Sequence, residues 1–241
     1  MIMQPLAFLI FIFLNLQGDM PLARKPVDCA EAHAGAASAT LFAKDTVFIS
    51  ALNKIKMAYN QDKHEHCISF GTGTGNLVNS SAIMHGGSIS GKVPAIANAF
   101  ADLHNHPDNM PPDAGDLYGL IAVNKNNHNY KTRFVLTSNG TLYALLVTDT
   151  ARAAAFTTKH PAQPPAFRGG PPGLPVALVD EGREMKYAYQ CTDEMVVAFI
   201  LEKYDAGVCL LKQQHDGRLS KLYTTLLKSK TGLVYSPGVC P

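Results

Sequence analysis

The chain has 241 residues, 46% hydrophobic and 17% charged, with 21 Lys and Arg against 19 Asp and Glu. That composition excludes wholesale disorder and bounds one domain, or one with an extension. A formal net charge of +2 with no Lys/Arg-rich run argues against a nucleic-acid groove. From the start, residues 5–16 form an apolar run too short to span a membrane. It fits the hydrophobic region of a signal peptide over 1–18, although no Lys or Arg precedes it and no small-x-small cleavage site follows. Export to a periplasm or the extracellular space is the expectation; the alternative is a cytoplasmic chain that begins at Met20. Residues 19–37 are polar and Ala-rich, with Pro21 and Pro26, and read as a lead-in or linker before a core over 38–150. Leu41, Val47, Phe48, Ala51, Leu52, Ile55 and Ala58 then recur at helical spacing and predict an amphipathic helix over 41–59. Cys67–Phe70, Asn76–Met84 and Ser88–Ser90 are β-prone, and the glycine-rich stretch 71–75 reads as a hairpin loop. Gly86 to Lys92 approaches a phosphate-binding loop, but Val93 and Pro94 leave no hydroxyl for magnesium.

The stretch 100–117 carries the chemistry. Phe100 to His106 predicts a strand, so His104 and His106 share a face. Pro107, with no N–H to donate, ends it. Pro111 and Pro112 stiffen the next loop, and Asp113-Ala114-Gly115-Asp116 opens a helix over 114–124 that carries Leu117, Leu120 and Ile121. Two imidazoles from a strand end and a carboxylate from the next helix can converge on one cation. Three protein ligands with an open fourth position is how catalytic zinc is held. The bland reading is a surface His-x-His pair without metal. Asp102 shares the face of the two histidines and either orients a ligand imidazole or lies at the polar rim of the sheet. Asp108 is a further ligand candidate, behind Asp116 and Asp113. His64 and His66 flank Glu65 and face away from it on a strand. With Cys67 they could make a separate metal site; exposed histidines are the commoner outcome.

Further on, Arg133–Thr137 and Thr141–Val147 flank Asn139-Gly140, a strong hairpin signal. Residues 151–177, rich in Pro and Gly, read as an irregular loop that could flank a substrate groove. A helix is expected over 180–204, then a hairpin of Val208–Leu211 and Leu219–Tyr223 around His215-Asp216-Gly217, the two forming a C-terminal extension over 178–241. Lys221, Lys228 and Lys230 read as solvated surface. The five cysteines, Cys29, Cys67, Cys191, Cys209 and Cys240, contain no Cys-x-x-Cys. In an exported chain up to two disulfides could form, with Cys209–Cys240, or Cys29 with another, as the options; in a reducing cytosol all five would be thiols.

His104-Asn105-His106-Pro107, a short loop and then Asp116 resemble the signature of the JAB/MPN (JAMM) zinc metalloproteases, His-x-His-Pro followed by Ser-x-x-Asp. Glu65, after the first helix and at the start of a strand, matches that family's upstream glutamate. The resemblance covers roughly 40–150, and only these three short motifs within it are specific. It implies an α/β fold with a mixed, curved sheet between helices and Zn2+ held by His104, His106 and Asp116. It further implies Glu65 as general acid/base, a zinc-bound water as nucleophile, and a peptide or isopeptide substrate. Two features depart from the pattern. The loop after His106 is one residue shorter, and Asp113 occupies the position of the serine that helps hold the oxyanion. An anionic Asp113 repels developing negative charge unless it is protonated. Two other classes compete. One is a metal-dependent phosphoesterase or nuclease: Asp102-x-His104-x-His106 looks like the opening motif of PHP-type phosphoesterases, though here it sits mid-chain. A non-catalytic, metal-stabilised binding module would account for Asp113 but would have no use for Glu65.

Overall fold

A computed structural model describes residues 27–88, 91–166, 170–229 and 232–241. The expected signal peptide at 1–18 lies outside them. Among the described residues the fold is α/β, with six helices flanking one mixed sheet of nine strands. In chain order these are α1 (Cys29–Ala43), α2 (Thr46–Asp62), β1 (His66–Thr72), β2 (Val78–Ser80), β3 (Met84–His85), β4 (Ala99–Asn105) and α3 (Ala114–Asn126). There follow β5 (Thr132–Leu136), β6 (Leu142–Val147), α4 (Thr150–Lys159), α5 (Val176–Tyr189), α6 (Asp193–Lys203), β7 (Val208–Gln213), β8 (Leu219–Ser229) and β9 (Gly232–Val239). The strand order is β2-β1-β4-β5-β6-β7-β8-β9, with β3 also on β1. Among the described residues only β4 and β5 pair in parallel. The crossover between them contains α3, as a parallel connection requires.

The sheet separates two cores. Along β6, Tyr143, Leu145 and Val147 pack with residues of α3 to α6, while Leu142, Ala144 and Leu146 pack with residues of α1 and α2. Both faces are covered, so β6 reads as an unbroken apolar run rather than an alternating one. The α1/α2 face is built around aromatic contacts: Phe42 lies edge-on to Phe48, Phe70 and Phe100.

Several expectations are corrected here. The lead-in expected over 19–37 is helical from Cys29. Asp28 caps α1 by accepting the Ala30 and Glu31 N–H groups. Alanine is the best helix former, so the Ala-rich stretch is a helix packed on the sheet rather than a linker. The helix expected over 41–59 is divided, because Asp45 caps a new helix by accepting the Val47 N–H. Leu41, counted in the buried stripe, is 72% exposed. The loop expected over 151–177 contains α4, capped by Asp149 through the Arg152 N–H. The prolines that suggested a loop begin only at Pro161, and a proline disfavours helix at the residue before it. The helix expected over 180–204 is α5 and α6, broken where Gln190 turns left-handed (φ 54°) and Thr192 caps the second.

Both hairpins form, as does the 71–75 connection between antiparallel β1 and β2. Ser88 lies outside any strand, and residues 89–90 are not described. Beyond the expected hairpin, β8 continues and pairs with β9. Lys221 is not a surface residue: it is 5% exposed, its Nζ lies 3.0 Å from the Asp28 carbonyl, and it pairs with Glu202. The side chains of Lys228 and Lys230 are not described. Cys29 is bonded to Cys240 across 211 residues of sequence, so Cys209 is not the partner of Cys240. Cys67, Cys191 and Cys209 are buried thiols.

Candidate metal centre

His104 near the end of β4 and His106 just beyond it place their Nε2 atoms 3.2 Å apart. Asp116, in the first turn of α3, brings Oδ1 to 3.0 Å from His104 Nε2 and Oδ2 to 3.2 Å from His106 Nε2. All three side chains are buried. Ligand atoms about 2.1 Å from one ion at tetrahedral angles stand about 3.4 Å apart, so two imidazole nitrogens and one carboxylate at these separations can share a cation. The rings are set for it. His106 Nδ1 lies 3.0 Å from the Met110 carbonyl, a contact that places a proton on Nδ1 and turns Nε2 toward Asp116 and His104. His104 Nδ1 lies 3.7 Å from Asp102.

Local sequence explains the convergence. The strand period puts both histidines on one face, and the Pro-Pro loop returns the chain to the same end of the sheet. Asp113 then starts α3 with a reciprocal capping box. Its Oδ1 accepts the Asp116 N–H at 3.0 Å, and its own N–H donates to Asp116 Oδ2 at 3.0 Å. That box fixes the Asp116 carboxylate before any metal arrives. Aspartate is a strong N-cap, which suits Asp113 to this scaffold role.

Glu65 and Cys67, two apart, line the same cavity as His104, His106, Asp113, Asp116 and Arg133, a space of about 260 Å³. Gly91 faces Glu65 across it, and Gly170, Pro171 and Pro172 form part of its wall. The expected irregular segment after α4 therefore does border the site. A larger cavity of about 730 Å³ lies elsewhere, lined in part by Glu194, Lys212 and His215. In it Glu194 is already paired with Lys212 at 2.7 Å and Tyr143 at 2.6 Å, so it offers no convergent ligand set.

The site's electrostatics suit a cation. Burial pulls the His104 imidazole down, but the Asp116 and Asp102 carboxylates outweigh it and hold it up at about 10. Burial likewise opposes His106 protonation, and Asp116 raises it nonetheless. Asp116 is pushed up by burial and pulled well below the carboxylate range by the two histidines. Burial raises the carboxyls of Glu65 and Asp113. Without metal, protons hold the place of the positive charge.

Asp102 does not lie at a rim. It is fully buried, and it accepts from Arg133 Nε at 3.0 Å, from Arg133 Nη2 at 2.9 Å and from the Tyr130 hydroxyl. Arg133 Nη1 also donates to the Asp116 carbonyl at 3.2 Å and lies 3.8 Å from its Oδ1. Sequence reading missed Arg133 and Tyr130. One signal was present: an arginine inside the apolar run Arg133-Phe134-Val135-Leu136 needs a buried acid, and Asp102 is its register partner. Asp108 is not brought to the centre; it accepts the Met110 N–H at 3.0 Å in the loop. Comparison with family models, curated proteins and solved structures finds no match.

Proposed function

We propose that the chain is a zinc-dependent hydrolase of peptide or isopeptide bonds with a JAB/MPN-type core. One observation carries the reading: a half-buried Glu65, its carboxyl raised by desolvation, and a three-ligand cation site share one cavity. The donor set, two imidazole nitrogens and a carboxylate at the separations above, fits zinc. His104, His106 and Asp116 would hold it. When bound, zinc supplies a Lewis acid and makes hydroxide accessible near neutral pH.

The protein's own groups supply the rest. Glu65 accepts the proton of the attacking water and returns it to the leaving amine, a double duty that a raised carboxyl pKa favours. Asp102, clamped by Arg133 and Tyr130, keeps the His104 ring oriented. Desolvation raises the Asp113 carboxyl, which lessens the repulsion expected of an anion beside a developing oxyanion. Gly91 and residues 170–172 line the cavity beside Glu65, where a substrate would lie. The disulfide supports export, since such bonds persist in oxidising compartments. A phosphoesterase needs more ligands downstream; among the described residues the centre gathers only these three.

The test uses zinc-loaded chain on fluorogenic peptide and isopeptide libraries, with metal content measured by mass spectrometry. Asp116→Ala should lose the zinc of this centre, and Glu65→Gln should keep it while abolishing turnover. Unchanged turnover in Glu65→Gln, or no cleavage by the loaded wild type, overturns the hydrolase reading and favours the binding module.

A further inference from the structure

A second group of metal-ligating side chains stands behind the strand that follows Glu65. His66 on β1 and His85 on β3 are direct cross-strand partners, and their rings meet edge to face with centroids 4.9 Å apart. Asp62, at the end of α2, brings Oδ1 to 2.9 Å from His66 Nε2. One candidate ligand atom from each residue falls within 4.8 Å of the others. His66 is fully buried, and among the described residues its Nδ1 has no hydrogen-bond partner. A neutral imidazole carries one N–H and one lone pair, so bonding to Asp62 alone leaves half of its polar capacity unmatched in a buried place. The sequence expectation of a site from His64, His66 and Cys67 fails on strand alternation: Cys67 faces the central cavity, and His66 the opposite side.

We infer that Asp62, His66 and His85 form an accessory site for a transition-metal ion, distinct from the His104–His106–Asp116 centre. Two imidazoles and one carboxylate select a borderline ion such as zinc over magnesium or calcium, which prefer all-oxygen shells. Asp62 and His85 are exposed, so the ion enters from solvent and keeps water on its open side. Its position gives it a task. Glu65 donates its N–H to the Gly87 carbonyl at 2.8 Å and accepts the Gly86 N–H at 2.8 Å. An ion joining the end of α2, the start of β1 and β3 clamps both flanks of that short exchange and holds the Glu65 backbone in register. The site rests on these three residues alone and does not require the hydrolase reading.

The full chain, disulfide intact, is titrated with Zn2+ alone by calorimetry, and bound ions are counted by mass spectrometry. Two ions are expected in the wild type and one in each of His85→Ala, Asp62→Asn and Asp116→Asn. His85→Ala changes an exposed side chain, and Asp62→Asn keeps an oxygen for His66 and the His64 N–H; thermal melting without metal verifies that both variants fold. Undiminished binding in both of these variants overturns the accessory site, whatever Asp116→Asn does. Loss in these two with no loss in Asp116→Asn keeps it and removes the central centre instead.

Discussion

Asp113 accepts the Asp116 N–H at the N-terminus of α3 while burial lifts its own carboxyl above the ordinary range. The two properties can be separated by substitution. Asp113→Ala removes the cap and should cost about 1 kcal/mol in chemical denaturation. Asp113→Ser keeps a capping oxygen, should cost no more than a few tenths by the same measurement, and should raise turnover because no acid then faces the reacting carbonyl. A fall in turnover in Asp113→Ser would show that the protonated acid itself donates to the substrate. His104 gives the pH prediction. Its folded value, about 10, exceeds the ordinary 6.5, so between these the folded state holds a proton that the unfolded chain has released. That contribution is complete below about 6.5 and disappears as pH rises through about 10. Metal-free chain should therefore lose stability with rising pH in that window, at up to roughly 1.4 kcal/mol per unit. Zinc-loaded chain should lose that slope, because binding expels the same proton and the unfolded chain has already released its own in this window. Urea denaturation at stepped pH, with and without zinc, distinguishes the two.

At the level of strands and helices, the parallel pair β4–β5 sets Asp102 beside Arg133. Removing one member strands the other in a dry interior. Arg133→Met should destabilise the fold by about 3–5 kcal/mol and loosen His104, while adding Asp102→Asn should restore part of the loss; thermal and urea unfolding of the two variants tests both. This pair also marks where sequence reading stops. His104, His106 and Asp116 were legible because strand alternation and a short loop, both local, bring them together. Arg133 was not, because a partner 31 residues away is decided by which strands pair. α4 was missed when distal prolines outweighed its alanines, and β9 because its Gly and Pro content resembles a loop. The division of the helix expected over 180–204 turns on Gln190, an exposed ordinary residue that ends α5 in the left-handed region with its N–H on the Met185 carbonyl.

On the scale of the whole molecule, one sheet carries two apolar cores, and the candidate centre sits at the end of β4 where the chain leaves the sheet for α3. The nine-stranded architecture could be read only in part from the sequence: the hairpins were evident, the order of the sheet was not. The bond between Cys29 and Cys240 joins α1 to the residue after β9. Reducing it, or replacing both residues with serine, should lower stability by roughly 2–5 kcal/mol, as unfolding curves with and without reductant would measure. Between these two cysteines the polypeptide is a covalent ring. A protease that severs the exposed stretch around Pro164 and Pro165 would open that ring without releasing either piece. Both halves of the sheet would stay tethered, ready to close again around the same histidines.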